Sequence, residues 1–326
     1  INVVEDCILS EIAKLNRKKI LLVTTESMLK TKAYQKLIEL LEDGGMEHFI
    51  ICSKQHVPGG TLMKDIKKVL LFKPDLIISC GGGSPIDAAK ILSIVIEKGI
   101  EKEEDLYPYS DNVKEKPLAL NDCIPHIAIP TTLSASEFTS IAGVTHSKDH
   151  LKYKFSHLSL TPKFVFLDPV FTMETPDWLW ISTGMRAVDH AVETLYSPAP
   201  NPVNISLALQ ALKNLYINLP LCKEDKSNMQ YRLNCQIGAW LSLFSVVNIK
   251  LGLSHSIGHQ LGALYGIPHG MTSAIMLPHV MEFLLPRTFE ALAQIPKVLG
   301  QNDKNASTKE NAEMAPGLIK ALIQQL

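Results

Sequence analysis

The chain has 326 residues, 46% hydrophobic and 20% charged, a composition that suits a soluble globular protein with room for two domains. Its formal net charge of −1 gives no electrostatic basis for nucleic acid or an anionic membrane as a partner. No run reaches the ~18 apolar residues of a membrane helix. Ile1 to Ser10 also lacks the basic-then-apolar order of a signal peptide, so the expected location is cytoplasmic. Six cysteines (Cys7, Cys52, Cys80, Cys123, Cys222 and Cys235) form no CxxC pair and read as reduced thiols.

The first half alternates apolar runs with amphipathic ones. Strands are expected at Ile20–Val23, Phe49–Cys52, Leu76–Cys80, Ile124–Ile129 and Phe164–Leu167, and helices at Lys32–Leu41, Thr61–Phe72 and Asp87–Glu97. Strands that alternate with helices imply a doubly wound parallel sheet. After Asp168-Pro169 the pattern turns helical: Pro176–Tyr196, Pro202–Tyr216, Met229–Val247, Ser256–Tyr265 and Met271–Leu285. Gln301–Asn311 reads as a polar loop. The expected organisation is an α/β domain over residues 1–170 and an all-α domain over residues 171–326.

Two turns in the α/β half suit a ligand. In Gly81-Gly82-Gly83-Ser84-Pro85 a strand runs into glycines and then into a helix. Without side chains in the way, a phosphate can approach the unpaired amides and positive dipole end of that helix. The same residues also suit a plain tight turn, and they are not the GxGxxG fingerprint. Pro130 to Glu137 sets hydroxyls, Thr131 and Thr132 among them, after the Ile124–Ile129 strand, where open α/β sheets bind ligands. Taken alone, it reads rather as a plain Ser/Thr-rich loop.

The helical half carries His190, then His255 and His259 four residues apart, then His269. Histidines at that spacing share a helix face. Three imidazoles can hold zinc or ferrous iron with a position open for a substrate oxygen. Each histidine singly is more often a structural residue than a ligand, and His279 belongs to that class.

Together these segments resemble the iron-containing alcohol dehydrogenase family, which has the dehydroquinate synthase-like fold. Gly81 to Lys90 is similar to its GGGSxxDxAK signature, Ser182 to Glu193 to STGxxAxxHAxE, and His255 to Ala263 with Pro268-His269-Gly270 to HxxxHxLGA…PHG. Against that pattern the chain reads as shorter at both ends, without a leading hairpin or the terminal helices. The resemblance implies an active site between the two domains and a dependence on NAD or NADP. By position, Gly82, Gly83 and Ser84 would hold the pyrophosphate, Asp87 and Lys90 would lie near the nicotinamide-side ribose, and Thr131 and Thr132 would line the cofactor site. His190, His255 and His269 match metal ligands, and His259 matches the histidine beside nicotinamide and substrate. The family often forms dimers.

Three departures qualify this. Arg186 stands where the family has its first metal ligand, an Asp, and a guanidinium has no lone pair to give and repels a dication. Asp189 lies about 100° around the helix from His190, a poor substitute from that face, and its spacing suits a pair with Arg186. The Pro130–Glu137 loop has the shorter form of maleylacetate reductases, a branch that works without metal. Thr25 stands after the first strand where an Asp often rejects the 2′-phosphate, so NADPH should be accepted. The expected reaction is hydride transfer between nicotinamide and an aldehyde, ketone or oxo acid, with His259, Arg186 and His190 as the catalytic set. The alternative is a dehydroquinate synthase-like lyase that uses nicotinamide transiently.

Overall fold

The computed structural model describes residues 2–121, 123–246 and 249–326. It comprises two compact units, one formed by Ile1–Thr131 and Ser136–Glu174, the other by Thr132–Ala135 and Thr175–Leu326.

In the first unit, β1 (Lys19–Thr24), β2 (Glu47–Cys52), β3 (Leu76–Gly81), β4 (His126–Pro130) and β7 (Phe164–Val165) form one sheet in the order β2-β1-β3-β4-β7. Every pairing in it is parallel. The burial pattern explains why. Ile20 and Leu22 of β1 face one core, with Val4, Ile8 and Ile12 of α1 (Val3–Leu15) and Leu37 and Leu41 of α2 (Lys32–Asp43). Leu21 and Val23 face another, with Val69 of α4 (Ile66–Phe72) and Ala88, Ile91 and Leu92 of α5 (Gly83–Lys98). A strand buried on both faces must be apolar throughout, the mark of a doubly wound sheet. Strand order reverses at β1, so the carboxyl ends of β1 and β3 flank a topological switch point.

Several elements differ from the sequence reading. The helix expected at Thr61–Phe72 is two, α3 (Gly59–Met63) and α4. Helix α1, which the sequence reading passed over, is capped from far along the chain: Asp168 Oδ2 accepts the Val4 N–H at 3.0 Å. An antiparallel hairpin of β5 (Ile141–Thr145) and β6 (Lys152–Ser156) also escaped notice.

The second unit is helical: α6 (Asp177–Leu195), α7 (Pro202–Glu224), α8 (Met229–Ser245), α9 (Leu253–Tyr265), α10 (His269–Leu292), α11 (Gln294–Val298) and α12 (Thr308–Gln325). Val247, where the sequence reading ended α8, lies outside the described residues, as does Ile1. Helix α6 is the axis. It packs against α7, α8, α9 and α10, and its residues from Ala187 to Leu195 are all buried. Helices α7 and α10 run on through Pro220 and through Pro278 and Pro286. Thr132–Ala135 joins this unit because Leu133 is 1% exposed in its core and donates its N–H to Thr183 Oγ1 at 3.1 Å. No helix among the described residues is long and apolar enough to cross a membrane.

His126 ties stability to pH. Its Nε2 lies 2.7 Å from Ser79 Oγ in the sheet, and burial, with the charge of Lys90 adding, pulls its pKa down to about 3. An unfolded imidazole titrates near ~6.5. Between those values the unfolded chain binds more protons than the folded one, so stability falls as pH drops through the window, by up to ~1.4 kcal/mol per pH unit. Urea unfolding midpoints measured across pH 4 to 7 should fall less steeply in His126→Gln than in the parent chain. Parallel slopes would refute the assignment.

Candidate active site

The glycine turn is built by backbone strain. Gly81 has φ +151°, and a Cβ there would lie 2.7 Å from the Pro85 ring, so only glycine fits. Gly82 then caps α5, which begins at Gly83. The helix therefore starts four residues before the Asp87 read from sequence and presents its first amides beside the end of β3. Ser84 is partly held already: its Oγ accepts the His56 N–H at 3.3 Å. Thr25 lies just past β1, with its Oγ1 accepting the Met28 N–H at 3.3 Å.

Asp87 and Lys90, expected near the ribose, hold the neighbouring loop. Lys90 is 1% exposed, and its ammonium bonds the Ser136 and Thr139 carbonyls at 2.7 Å each, Ile141 O at 3.0 Å and Thr139 Oγ1 at 3.1 Å. Its three N–H donors are thereby occupied. Burial lowers its pKa to about 8 against the pull of Asp87 and Glu137. Asp87 accepts from Ser136 Oγ at 2.5 Å and from the Gly143 N–H at 3.2 Å. Thr131 belongs to the α/β unit and donates its N–H to Gly81 O, while Thr132 belongs to the helical unit. The Thr132 Oγ1 is buried without a hydrogen-bond partner among the described residues.

The four histidines gather in the helical unit. His190 comes from α6, His255 and His259 from α9, and His269 opens α10. Because α9 begins at Leu253, His255 and His259 share one helix, with ring centroids 5.2 Å apart. His190 lies 4.9 Å from His255, and His269 lies 4.3 Å from His259. His190 and His255 are buried, His269 half-buried and His259 exposed, so the cluster runs from the interior outward. Burial and then the Arg186 guanidinium hold His190 well below the usual imidazole value. His279 is apart from the cluster, exposed beside Glu282 at 3.7 Å.

Two features bring these helices together, and the sequence reading assigned a role to neither. Glu193 caps α9 from α6: its carboxylate accepts the N–H groups of Gly252 and Ser254 at 2.8 Å and of His255 at 3.4 Å. Gly252 leaves it room, since a Cβ there would lie 2.8 Å from Glu193 Oε1. At the start of α10, a Cβ on Gly270 would sit 1.9 Å from the Ser182 carbonyl of α6. The signal for both lay in the quoted motifs, in the last residue of HAxE and of PHG. Asp189, expected to pair with Arg186, sets Oδ2 3.4 Å from His255 Nδ1. Trp180 is core, stacked with the Arg232 guanidinium 4.9 Å away.

Residues 5–169 match the family model described as iron-containing alcohol dehydrogenase, and residues 180–326 match the model of that family's C-terminal domain. The chain is 33% identical over 313 residues to 1,3-propanediol dehydrogenase of Klebsiella pneumoniae, covering 94% of this chain and 79% of that one. It is 27% identical to a maleylacetate reductase of a Pseudomonas species, covering 95% and 78%. A crystal structure of 1,3-propanediol oxidoreductase superposes with a TM-score of 0.88 at 30% identity, covering 98% of this chain and 82% of that one.

Glu193 makes the cap testable. Glu193→Gln keeps one acceptor oxygen but turns an NH2 toward backbone donors. It should cost ~1.5–3 kcal/mol and raise amide hydrogen exchange first in residues 252–259. Uniform exchange along α9 and α10, unchanged from the parent, would count against the cap.

Proposed function

We propose, for a chain that belongs to the iron-containing alcohol dehydrogenase family and is an NAD(P)-dependent oxidoreductase, that it reduces oxo acids in preference to neutral aldehydes. The observation that carries this reading is Arg186, one helical turn before His190 and close enough to depress its proton affinity. A guanidinium beside imidazoles suits a substrate with two adjacent oxygens, which its planar fork can pair bidentately.

The nucleotide fits the α/β unit. The switch-point strand ends, the glycine that only φ +151° explains and the uncovered start of α5 are features that receive a diphosphate. Gly82, Gly83 and Ser84 would hold it, with Thr131 and Thr132 alongside. When bound, the nicotinamide supplies or accepts a hydride at its C4.

The metal fits less well. His190, His255 and His269 could supply three ligands, but the fourth corner of the family's set is Arg186, a permanent cation without a lone pair. The four-ligand centre therefore does not fit these side chains. Instead Arg186 stabilises the charge that develops on the carbonyl oxygen as hydride reaches its carbon. An imidazole, His259 by its place in the motif, donates the proton that completes the alcohol.

Three measurements bear on this. For an oxo acid and an aldehyde of equal length, kcat/KM should favour the acid, and Arg186→Ala should cut the acid's value ~10–100-fold and the aldehyde's less. Equal rates with a harmless Arg186→Ala would sink the reading. Elemental analysis should find metal well below one per chain, with activity surviving chelation; stoichiometric metal and loss on chelation would restore the four-ligand centre. NADPH should bind at least as tightly as NADH, and Thr25→Asp should weaken NADPH ~10-fold or more by setting a carboxylate against the 2′-phosphate. Glu26→Gln is the control, because Glu26 is the exposed carboxylate next in the chain.

A further inference from the structure

We infer that Asp189 is a positioning residue that holds His255 in its Nδ1–H tautomer, leaving Nε2 as the acceptor His255 offers to the histidine cluster. The argument begins with what faces Nδ1. Asp189 Oδ2 lies 3.4 Å away and Glu193 Oε2 lies 4.0 Å away. Both carboxylates are 0% exposed and His255 is 7% exposed. An Nδ1 lone pair turned toward two buried carboxylates would be repelled without water to screen it, whereas an N–H there is attracted.

The two acids differ in what else they do. Glu193 spends its oxygens on the amides of Gly252, Ser254 and His255. Neither oxygen of Asp189 accepts a hydrogen bond among the described residues. A fully buried carboxylate in that condition needs a donor, and the imidazole at 3.4 Å is the donor beside it. That separation is longer than an ordinary hydrogen bond, so the pairing is electrostatic, between groups that have no other hydrogen-bond partner among the described residues. In the neutral form of the ring the partner nitrogen then has no proton, because a neutral imidazole carries only one.

The chemical consequence divides the cluster. His255 acts through Nε2 as an acceptor, so the proton delivered to the substrate oxygen comes from another ring. Asp189 stays on α6 but addresses the back of His255, where an acid orients a ring rather than competing with Arg186. The tautomer assignment stands on geometry alone, and its catalytic consequence rests on the hydride-transfer reading above.

The experiment uses the full chain labelled with ring-15N histidine. Long-range 1H–15N correlation at about pH 8, where ordinary imidazoles are neutral, reports which nitrogen of each ring is protonated, and His255→Gln identifies the His255 signals. The expected result is Nδ1–H in the parent chain, Nδ1–H retained in Asp189→Asn, whose amide oxygen still accepts, and Nε2–H or a tautomer mixture in Asp189→Leu. Turnover of an oxo acid should fall ~10–100-fold in kcat for Asp189→Leu, with KM for the nucleotide unchanged and partial recovery in Asp189→Asn. An Nε2–H signal in the parent, or a tautomer untouched by Asp189→Leu in a folded variant, overturns the assignment. So does a bound divalent cation that is lost in Asp189→Asn but kept in His190→Ala, since the carboxylate would then be a ligand. The tautomer is read without substrate, so a failed hydride-transfer reading would silence the turnover arm only.

Discussion

The helical unit depends on one carboxylate. Glu193, fully buried on α6, replaces the side-chain cap that α9 lacks at its own N-terminus. Helix starts leave amides unpaired, and burying them without partners would be costly. By taking those amides, Glu193 fixes where α9 begins and therefore where His255 and His259 stand relative to His190, one turn before it on the same helix as the cap. The contact at Gly270 does the same for His269 by letting the start of α10 touch the α6 backbone. Four imidazoles from three helices thus take their positions from α6, not from one another.

This arrangement concentrates charge in a region poor in solvent. Arg186 brings a fixed positive charge, and Asp189 and Glu193 bring two negative ones, all within two turns of one helix. Burial and its neighbour Asp189 raise the Glu193 carboxyl, while three backbone amides pull it back down. Such groups coexist because they act on different things: Glu193 caps a helix end, Asp189 faces an imidazole, and the charge of Arg186 lowers the proton affinity of His190. Side chains three or four residues apart share a helix face, yet their reach lets them serve separate partners.

Much of this was legible in the sequence because its signals are local. Runs such as Ile20–Val23 and Leu76–Cys80 are strands, since only a strand buried on both faces is apolar at every position. The glycine turn and the HxxxH spacing mark a helix start and a helix face. What escaped was set by distant contacts. Helix α1 is capped by Asp168, 164 residues away, and nothing near it signals that cap. The local pattern ends these helices at Tyr216 and Leu285, but packing against α8, α6 and α12 carries both further, through Pro220 and Pro286. Lys90 sits in a cofactor signature, so its motif suggests a ligand contact. Only its four acceptors reveal that it anchors the loop at residues 136–141.

Arg186 and Asp189 show how a constellation can keep its shape while exchanging its charges. The imidazoles need a framework, and that framework comes from Glu193 and Gly270, neither of which depends on what occupies position 186. The position is therefore free to carry a cation without disturbing the cluster. A positive charge on a side chain is fixed by the covalent chain and needs no loading. The Arg186 side chain is only half-buried, so that charge is held without the full desolvation cost of a deep interior. Arg186 thus acts on His190 while the acidic pair faces His255, so the two charges divide the cluster between them.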